Sequence, residues 1–217
     1  MKVYVCKVTR KTIPEETRLA VLDAAWDMIA ESGRADISMA AIAARAGVSR
    51  QTLHLAFGDR PGLLHAMLRR KDRKSPEAAS LYGFADRRVE TADDFLALVD
   101  AWLDYLPIIY PVGIQLDAAG INDEGAAAAW DDRMKGALLN GFRAKLETIV
   151  EKGLLAPGWT ADRAAEFAWS EVHPVNWRLL VVECGWSAAE FRRSRHEAIG
   201  RMLFTQSQGT HGGSTVP

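Results

Sequence analysis

The amino-acid sequence predicts an all-α protein, and three observations support that fold class. Apolar residues recur every three or four positions over most of the 217 residues, a spacing that places them on one face of a helix. We find no stretch with the alternation of apolar and polar residues that is typical of a half-buried strand. Ser, Thr, Gly and Pro stand at the ends of the periodic stretches, where they begin or stop helices.

The helices are expected to form two domains. Residues 14–74 predict an N-terminal three-helix domain with a fourth, linking helix, and residues 75–205 predict a larger helical domain. The polar, irregular segment 75–90 is the expected boundary. Residues 1–13 predict a flexible basic arm, and the Gly-, Ser- and Thr-rich residues 206–217 predict a disordered tail.

The first helix is predicted to begin near Pro14, because proline suits the first helical turn, and to end at Gly33. Its inner face is expected to consist of Leu19, Leu22, Ala25, Trp26 and Ile29. This face is continuous over the predicted length of the helix, so we expect it to pack on the helices that follow.

Residues 38–57, SMAAIAARAGVSRQTLHLAF, predict two short helices around a tight turn. Ser38 can accept a hydrogen bond from an N–H group in the first turn of its helix, and Ser49 can do the same for the second helix. Gly47 can end the first helix because glycine enters the left-handed conformation at little steric cost. Ala43 has no bulk, so the second helix can cross close by. This pattern is typical of a helix-turn-helix, whose second helix enters the major groove of DNA.

The outward face of that second helix carries side chains suited to DNA. Arg50 can bond guanine through two parallel hydrogen bonds, and Gln51 can do the same for adenine. Leu55 can contact the methyl group of thymine. A plain helical hairpin with a solvated polar face would show the same short pattern, so the flanking sequence has to decide between the two interpretations.

The charges are divided unevenly along the chain. Residues 1–74 hold 14 Lys and Arg against 8 Asp and Glu, a net charge of +6. Residues 75–217 hold 13 against 20, a net charge of −7, so the whole chain carries −1. A basic N-terminal part on an acidic body suits a protein that binds the phosphate backbone of DNA at one end.

The remaining helices follow from apolar spacing and from the residues that break it. A fourth helix is predicted to follow Asp59, its cap, with Pro61 in the first turn. Pro107 and Pro111 are predicted to break the chain. The first three body helices are therefore expected at about 92–106, in a short stretch ending near Gly120, and at about 122–153. The next helix is expected to begin at the cap Thr160 and to kink at Pro174, and the last is expected at about 187–204.

The sequence gives no sign of catalysis, a cofactor or a metal site. It contains no Gly-rich phosphate loop, no HExxH and no CxxC motif, and its five histidines are scattered. Cys6 and Cys184 lie far apart, which predicts a reduced, cytoplasmic protein. Asp104 and Asp117 interrupt the apolar stretches before they reach about 18 residues, so we expect no transmembrane helix and no membrane partner.

Residues 17–64 resemble the DNA-binding domain of the TetR family of bacterial transcriptional repressors. The matching features are Arg18, LDAA at 22–25, Gly33, SMAAIA at 38–43, AGVS at 46–49, TL at 52–53, Phe57 and Leu63–Leu64. The family usually has an aromatic residue where Arg34 stands, Tyr at the position of His54 and Lys at that of Arg60. Arg60 keeps the charge, whereas His54 keeps only part of the phosphate-bonding role.

The resemblance implies a DNA-binding transcriptional regulator, a repressor that a small molecule releases from a palindromic operator. The expected DNA contacts are Ser38, Ser49, Arg50, Gln51, Thr52, His54, Leu55 and Arg60. Of these, Ser49, Thr52, His54 and Arg60 are expected at phosphates, which fix position but carry little sequence information.

The resemblance also implies a homodimer, held together by the last two helices of each chain, and a ligand inside the helical body. The apolar stripe expected at the dimer interface is Ala165, Ala168, Val172, Val175, Leu179, Phe191, Ala198 and Met202. The residues expected at the ligand are Trp102, Tyr105, Tyr110, Ile114, Gln115, Trp130, Met134, Trp169, His173, Asn176 and Trp177. This set is mostly apolar with a few polar groups, so we expect a partly aromatic ligand that is not strongly anionic.

Two functions from other classes remain open at this point. One is a helical small-molecule-binding or adaptor protein whose DNA-binding domain is non-functional, and the other is an enzyme on the same scaffold. DNA binding separates the first from a repressor, and substrate turnover tests the second.

Overall fold

A computed structural model describes residues 13–204, which are helical over most of their length. Within that range the α-helices are α1 (Glu15–Ser32), α2 (Met39–Arg45), α3 (Arg50–Phe57), α4 (Arg60–Lys74), α5 (Pro76–Tyr82), α6 (Ala92–Ala119), α7 (Glu124–Asp131), α8 (Asn140–Glu151), α9 (Ala161–Glu171), α10 (Pro174–Trp177) and α11 (Ala188–Leu203). Two π-helical segments, Asp132–Leu139 and Arg178–Glu183, accompany them. Among these residues the β-structure is limited to one isolated bridge, which confirms the all-α fold class. The predicted basic arm, apart from residue 13, and the predicted tail lie outside the described residues.

The described chain divides into two compact units. The first comprises the residues up to Lys74 together with Ile109–Asp132, and the second comprises Ser75–Ile108 together with the chain from Arg133 onward. In the first unit, α4 packs against both α1 and α7. Residues 109–132 thus belong by packing to the unit that holds the helix-turn-helix, whereas the domain limits expected from the sequence stay a prediction.

The helix boundaries in the N-terminal part confirm the sequence analysis. Gly33 ends α1 in the left-handed conformation, with φ 62°, and Gly47 adopts φ 68° after α2. Trp26 is buried in the inner face of α1, where the ammonium group of Lys71 lies 4.6 Å from the centre of its ring. The three N-terminal helices therefore have the packed inner face that their sequence predicts.

Helix α6 differs from the prediction, because Pro107 and Pro111 do not break it. The helix runs without interruption through 28 residues. Both prolines are exposed and lie four residues apart, so they share the outer face of the helix, where water can bind the carbonyl groups that lose their N–H partners. Trp102 and Ile109, on the inner side, are fully buried, and this packing holds the helix across the prolines.

Three further differences concern the body helices. The segment expected to be irregular contains α5, which begins at a proline. The long helix expected at about 122–153 forms, but the segment Asp132–Leu139 within it is π-helical. Pro174 does more than kink the next helix: α9 ends at Glu171, and α10 starts at Pro174 with the His173 side chain as its cap.

By length and composition α6 could also cross a membrane, since its most apolar stretch has a mean hydropathy of 1.4. Of that stretch, 56% is buried inside the protein, and the core helix of a folded domain meets the same criteria. The sequence analysis missed this property because it took Asp104 and Asp117 as interruptions of the apolar stretch, whereas a stretch of this mean hydropathy can include one or two charged residues.

Candidate nucleic-acid interface and ligand cavity

The helix-turn-helix begins with a capped and buried α2. The Ser38 hydroxyl accepts a hydrogen bond from the N–H of Ala41 at 3.1 Å, as predicted, and Ile42 and Ala43 are buried. After Gly47 the N–H of Val48 donates to the carbonyl of Ala43 at 3.0 Å. This bond closes the turn and sets the direction in which α3 leaves.

Helix α3 presents one buried and one exposed side. Ser49 caps it by accepting from the N–H of Thr52 at 3.0 Å, and Leu53 is fully buried. Arg50 and Gln51 are exposed, and Leu55 exposes 68% of its surface. A leucine this exposed gains little from folding, and its side chain is accessible to a partner such as a base in the major groove.

Three of the predicted phosphate contacts, Ser49, Thr52 and His54, already have partners in α3 or next to it. The hydroxyl groups of Thr52 and Ser49 lie 2.7 Å apart, which leaves part of their capacity for a phosphate. His54 places Nδ1 2.7 Å from the carbonyl oxygen of Gly58. Since this contact uses one ring nitrogen of His54 to close the end of α3, only the other can reach DNA.

Arg60 requires a correction, because the structure places it in a part-buried cluster. Its Nη1 donates to both carboxylate oxygens of Asp123, at 2.9 and 2.6 Å. Its Nε donates to the carbonyl of Ile37 at 3.2 Å, and its Nη2 donates to the carbonyl of Ala35. All three guanidinium nitrogens are therefore bound inside the protein, and we do not retain Arg60 among the proposed phosphate contacts.

One set of contacts ties α3 to α1, and a second ties α1 to α4. The Arg18 guanidinium lies 4.6 Å from the centre of the Phe57 ring and donates to the carbonyl of Ala56 at 2.9 Å. On the other side of α1, Asp23 binds Arg70 at 2.6 Å and Lys74 at 2.9 Å. The hydrogen bond from Arg70 lowers the pKa of Asp23 to about 2, although burial opposes the shift, and Lys74 adds to it. Helix α3 is thus anchored to α1, and α1 is in turn anchored to α4.

The second compact unit contains a cavity of about 220 Å³. Its lining includes four apolar or aromatic side chains and two basic ones: Tyr82, Phe84, Leu98, Phe142, Arg133 and Lys145. The cavity therefore offers an apolar space with positive charge in its wall, the composition of a site for a small molecule.

The sequence analysis selected other residues for the ligand, and none of them is among those that line this cavity. Trp102, Tyr105, Trp130, Met134 and Trp177 are buried as core instead. The indole N–H of Trp102 donates to the carbonyl of Val172 at 3.0 Å, and that of Trp130 donates to Asp117 at 3.1 Å. We therefore correct their assignment, because their polar and apolar groups are satisfied by the protein itself.

The other members of the predicted ligand set also have structural contacts, but the indole N–H of Trp169 is buried without a hydrogen-bond partner among the described residues. Asn176 donates from Nδ2 to the carbonyl of Ser170 at 2.6 Å, and the His173 ring packs edge-on against Trp169 with 5.1 Å between centroids. Ile114 is buried, and Tyr110 and Gln115 are half-buried in the first unit. A periodic aromatic pattern could not separate these core residues from cavity residues. Nor did the sequence analysis single out Arg133 or Lys145.

The predicted dimer stripe also needs correction. Ala165, Ala168, Val172 and Phe191 have no exposed surface, so they form the core of the chain and cannot meet a partner subunit. Arg195 of α11 pairs with Glu171 of α9 at 2.5 Å, a contact within the same chain.

The exposed apolar surface lies further along the same helices. Leu179, Val182, Trp186 and Met202 expose 39, 59, 37 and 50% of their surface. Of the predicted stripe, Leu179 and Met202 therefore face outward, and Val175 and Ala198 are half-buried. Trp186 and Ala198 line one surface groove together with Glu190, Arg193, Glu197 and Arg201, so the surface beside these exposed apolar side chains is mixed apolar and charged.

Known proteins share both the motif and the fold. The family described as "Bacterial regulatory proteins, tetR family" matches residues 21–67. The HTH-type transcriptional regulator BetI of Stenotrophomonas maltophilia is 35% identical over 95 residues, which span 44% of this chain and 48% of that protein. The HTH-type transcriptional repressor LfrR of Mycolicibacterium smegmatis is 28% identical over 207 residues, which span 90% of each chain.

A solved structure extends the similarity to the body. A putative transcriptional regulator from Saccharomonospora viridis, in complex with choline, superposes with a TM-score of 0.67 and 19% sequence identity, covering 89% of this chain and all of that one. At this identity the match shows a common fold and carries nothing about the ligand. In sequence, the chain is similar to the tetR family of bacterial regulatory proteins over residues 21–67, and to the regulators BetI and LfrR over the longer stretches given above.

Proposed function

We propose that this protein is a repressor that binds a palindromic DNA operator as a homodimer and leaves it when a small molecule binds. The single observation that carries the proposal is the outer face of α3, where Arg50, Gln51 and Leu55 are exposed on a framework that is otherwise packed. An exposed leucine between polar side chains on a capped helix suits the major groove, where methyl groups and hydrogen-bonding edges alternate.

The side chains of α3 divide by role. Arg50 and Gln51 read guanine and adenine, and Leu55 reads thymine by apolar contact. Ser38 and Ser49 stand at the N-termini of α2 and α3, whose N–H groups favour phosphate. These contacts, with Thr52 and the remaining nitrogen of His54, set the register of the protein on the duplex.

The exposed apolar side chains of α11 and of the segment before it, among them Val182 and Met202, mark the proposed dimer interface. Each of these side chains would lose its contact with water in a dimer, which stabilises association. A twofold dimer places two α3 helices on successive turns of the major groove, so the operator should consist of two inverted half-sites.

Release from DNA requires a ligand that binds one conformation of the dimer more tightly than the other. The cavity in the second unit is a candidate for that ligand, and the name of LfrR as a repressor agrees with this direction of control. We keep the expectation of a partly aromatic ligand that is not strongly anionic, of a cytoplasmic protein and of a protein without enzymatic activity.

The test is a gel-shift titration of the purified protein with the DNA upstream of its own gene. We expect a complex that competes poorly with unrelated DNA and weakens steeply with salt. A protein that binds this DNA no better than unrelated DNA at low salt would be a helical small-molecule-binding protein or an enzyme on the same scaffold. Turnover screening would then separate those two functions.

A further inference from the structure

We infer that the cavity in the second unit takes a single-ring aromatic molecule that carries one oxygen acceptor or one negative charge, such as a carboxylate or a phenol. The inference rests on the proposed ligand response and adds the chemical class of the ligand. It follows from the size of the cavity, the charges in its lining and the donor that Lys145 supplies.

The size limits the ligand to about one ring. A cavity of about 150 Å³ in another protein is known to hold benzene, and this cavity measures about 220 Å³. The difference leaves space for one short substituent. Sites for drug-sized ligands occupy about 300–1,000 Å³, so the enclosed part of this site holds about one ring, and a larger molecule would have to extend into the solvent on its open side.

The lining favours an aromatic body. Phe142 is buried and packs edge-on against Phe95, with 5.3 Å between ring centroids, so its position in the wall is fixed. Leu98 and Leu138 add aliphatic surface. Next to them, Gly141 has no heavy atom within 4 Å of the position where a Cβ would stand, which identifies the open space beside α8.

The charges favour an acceptor over a cation. Among the described residues that line the cavity, two are basic and none is acidic. The Arg133 guanidinium is held 5.1 Å from the centre of the Trp102 ring and 5.6 Å from that of Tyr105. It therefore supplies a permanent positive charge in the wall, which repels a cationic ligand.

Lys145 provides the hydrogen bond. Its Nζ donates to the carbonyl oxygens of Ala85 and Arg87, at 2.9 and 2.8 Å. An ammonium group has three donors, so a third remains for an acceptor in the cavity. The same contacts tie the segment between α5 and α6 to α8, and a ligand at Lys145 would thus bind beside the tethered segment.

The test uses three probes of similar size and different charge: benzoate, benzyl alcohol and benzylammonium. Binding to the full-length dimer, without DNA, is measured by ligand-detected NMR titration. We expect benzoate to bind about tenfold more tightly than benzyl alcohol, because a hydrogen bond to a charged group is the stronger one. Benzylammonium should bind most weakly.

Two variants assign the binding to this cavity. Gly141→Leu fills the open space, while leucine favours the helix more than glycine does, so all three probes should lose binding and the fold should persist. Ala144→Leu adds a similar side chain at an exposed position of α8 and should change nothing. Lys145→Met should remove the preference for benzoate over benzyl alcohol, while benzyl alcohol should still bind. If the substitution only loosened the tethered segment, the binding of both probes would weaken by the same factor.

Three results would overturn the inference: benzylammonium binding as tightly as benzoate, Gly141→Leu binding like the wild-type protein, or no binding of any probe at about 10 mM, a concentration above the weakest affinities typical of specific sites. A gel shift with the same preparation separates this failure from failure of the proposed function. A protein that binds its operator but none of the probes loses only the ligand class, and a protein that binds benzoate but no DNA loses only the repressor role.

Discussion

Arg60 and Asp123 form an ion pair with 2.6 Å between Nη1 and Oδ2, and this pair joins three parts of the first unit. Arg60 opens α4 and also binds the carbonyl of Ile37, in the segment between α1 and α2. Asp123 caps α7 by accepting from the N–H groups of Gly125 and Ala126, both at 3.0 Å. Burial opposes ionisation of Asp123, but the bonds from Ala126 and Arg60 outweigh it and lower its pKa.

Arg60→Ala is therefore expected to act on stability more than on DNA contacts. It removes the Arg60 donor from two carbonyl groups and from the Asp123 carboxylate, which keeps only its backbone N–H donors, and loss of one partner of a part-buried pair costs about 2 kcal/mol. Urea unfolding at fixed protein concentration measures this loss. The slope of operator affinity against salt should stay as it is, because no phosphate contact has been removed.

Arg45→Ala is the matched control. Arg45 pairs with Glu31 at 3.0 Å, but both side chains are at least half exposed, so its removal should change stability by less than about 0.5 kcal/mol. If Arg60→Ala left stability unchanged and flattened the salt dependence by about one ion per head, Arg60 would be a phosphate contact after all.

Asp23 leads to a prediction about acid stability. Its pKa is about 2 in the folded protein against an ordinary value of 3.8. A lowered pKa stabilises the fold above pH 3.8, and this contribution is lost as the pH falls toward 2. Because 42% of the side chain is exposed, we discount the effect to about 1 kcal/mol.

Asp23→Asn should therefore lower the urea midpoint at pH 6 and leave it nearly unchanged at pH 2, where the carboxyl group is half protonated or more. Asp27→Asn, on the exposed side of α1, should have no such pH-dependent effect. An equal loss of stability at both pH values would mean that Asp23 acts by packing and not by charge.

The N-terminal part could be predicted from sequence because its signals are local. The caps Ser38 and Ser49 and the turn at Gly47 each depend on residues within one or two turns of helix, and the structure confirms all three. The exposed face of α3 follows from the same spacing. The sequence was sufficient to predict the structure wherever a side chain forms a hydrogen bond with the backbone of its own helix.

The errors arose where a side chain meets a residue far along the chain. Arg60 binds Asp123, 63 residues away, and no local pattern shows that an arginine at a helix N-terminus faces inward. Ala168 and Val172 have the spacing of a helix interface, and they do lie in one, but it is within the chain. Periodicity identifies an apolar face, and it does not identify which neighbour covers that face.

The dimer face can be tested by a charge at its most exposed position. Val182→Asp places a carboxylate where an apolar contact is proposed, and burying it without a partner should weaken dimerisation at least about a hundredfold. Sedimentation equilibrium should then show monomer at concentrations where the wild-type protein is a dimer. Val150→Asp, at an exposed valine of α8, should remain dimeric. A dimeric Val182→Asp protein would place the interface elsewhere.

The base-reading residues of α3 can be tested one position at a time. Gln51→Ala removes the amide that reads adenine, so it should relax preference at one base pair per half-site and cost about 1–3 kcal/mol on the preferred operator. Leu55→Ala removes the contact with a thymine methyl and should cost about 1 kcal/mol at a different base pair. Competition binding against operators with single substitutions measures both effects. Asp27→Ala, on α1, is the control and should alter no position. The assignment is wrong if Gln51→Ala and Leu55→Ala bind every operator more weakly by the same factor, because uniform loss is the behaviour of a phosphate contact and not of base reading.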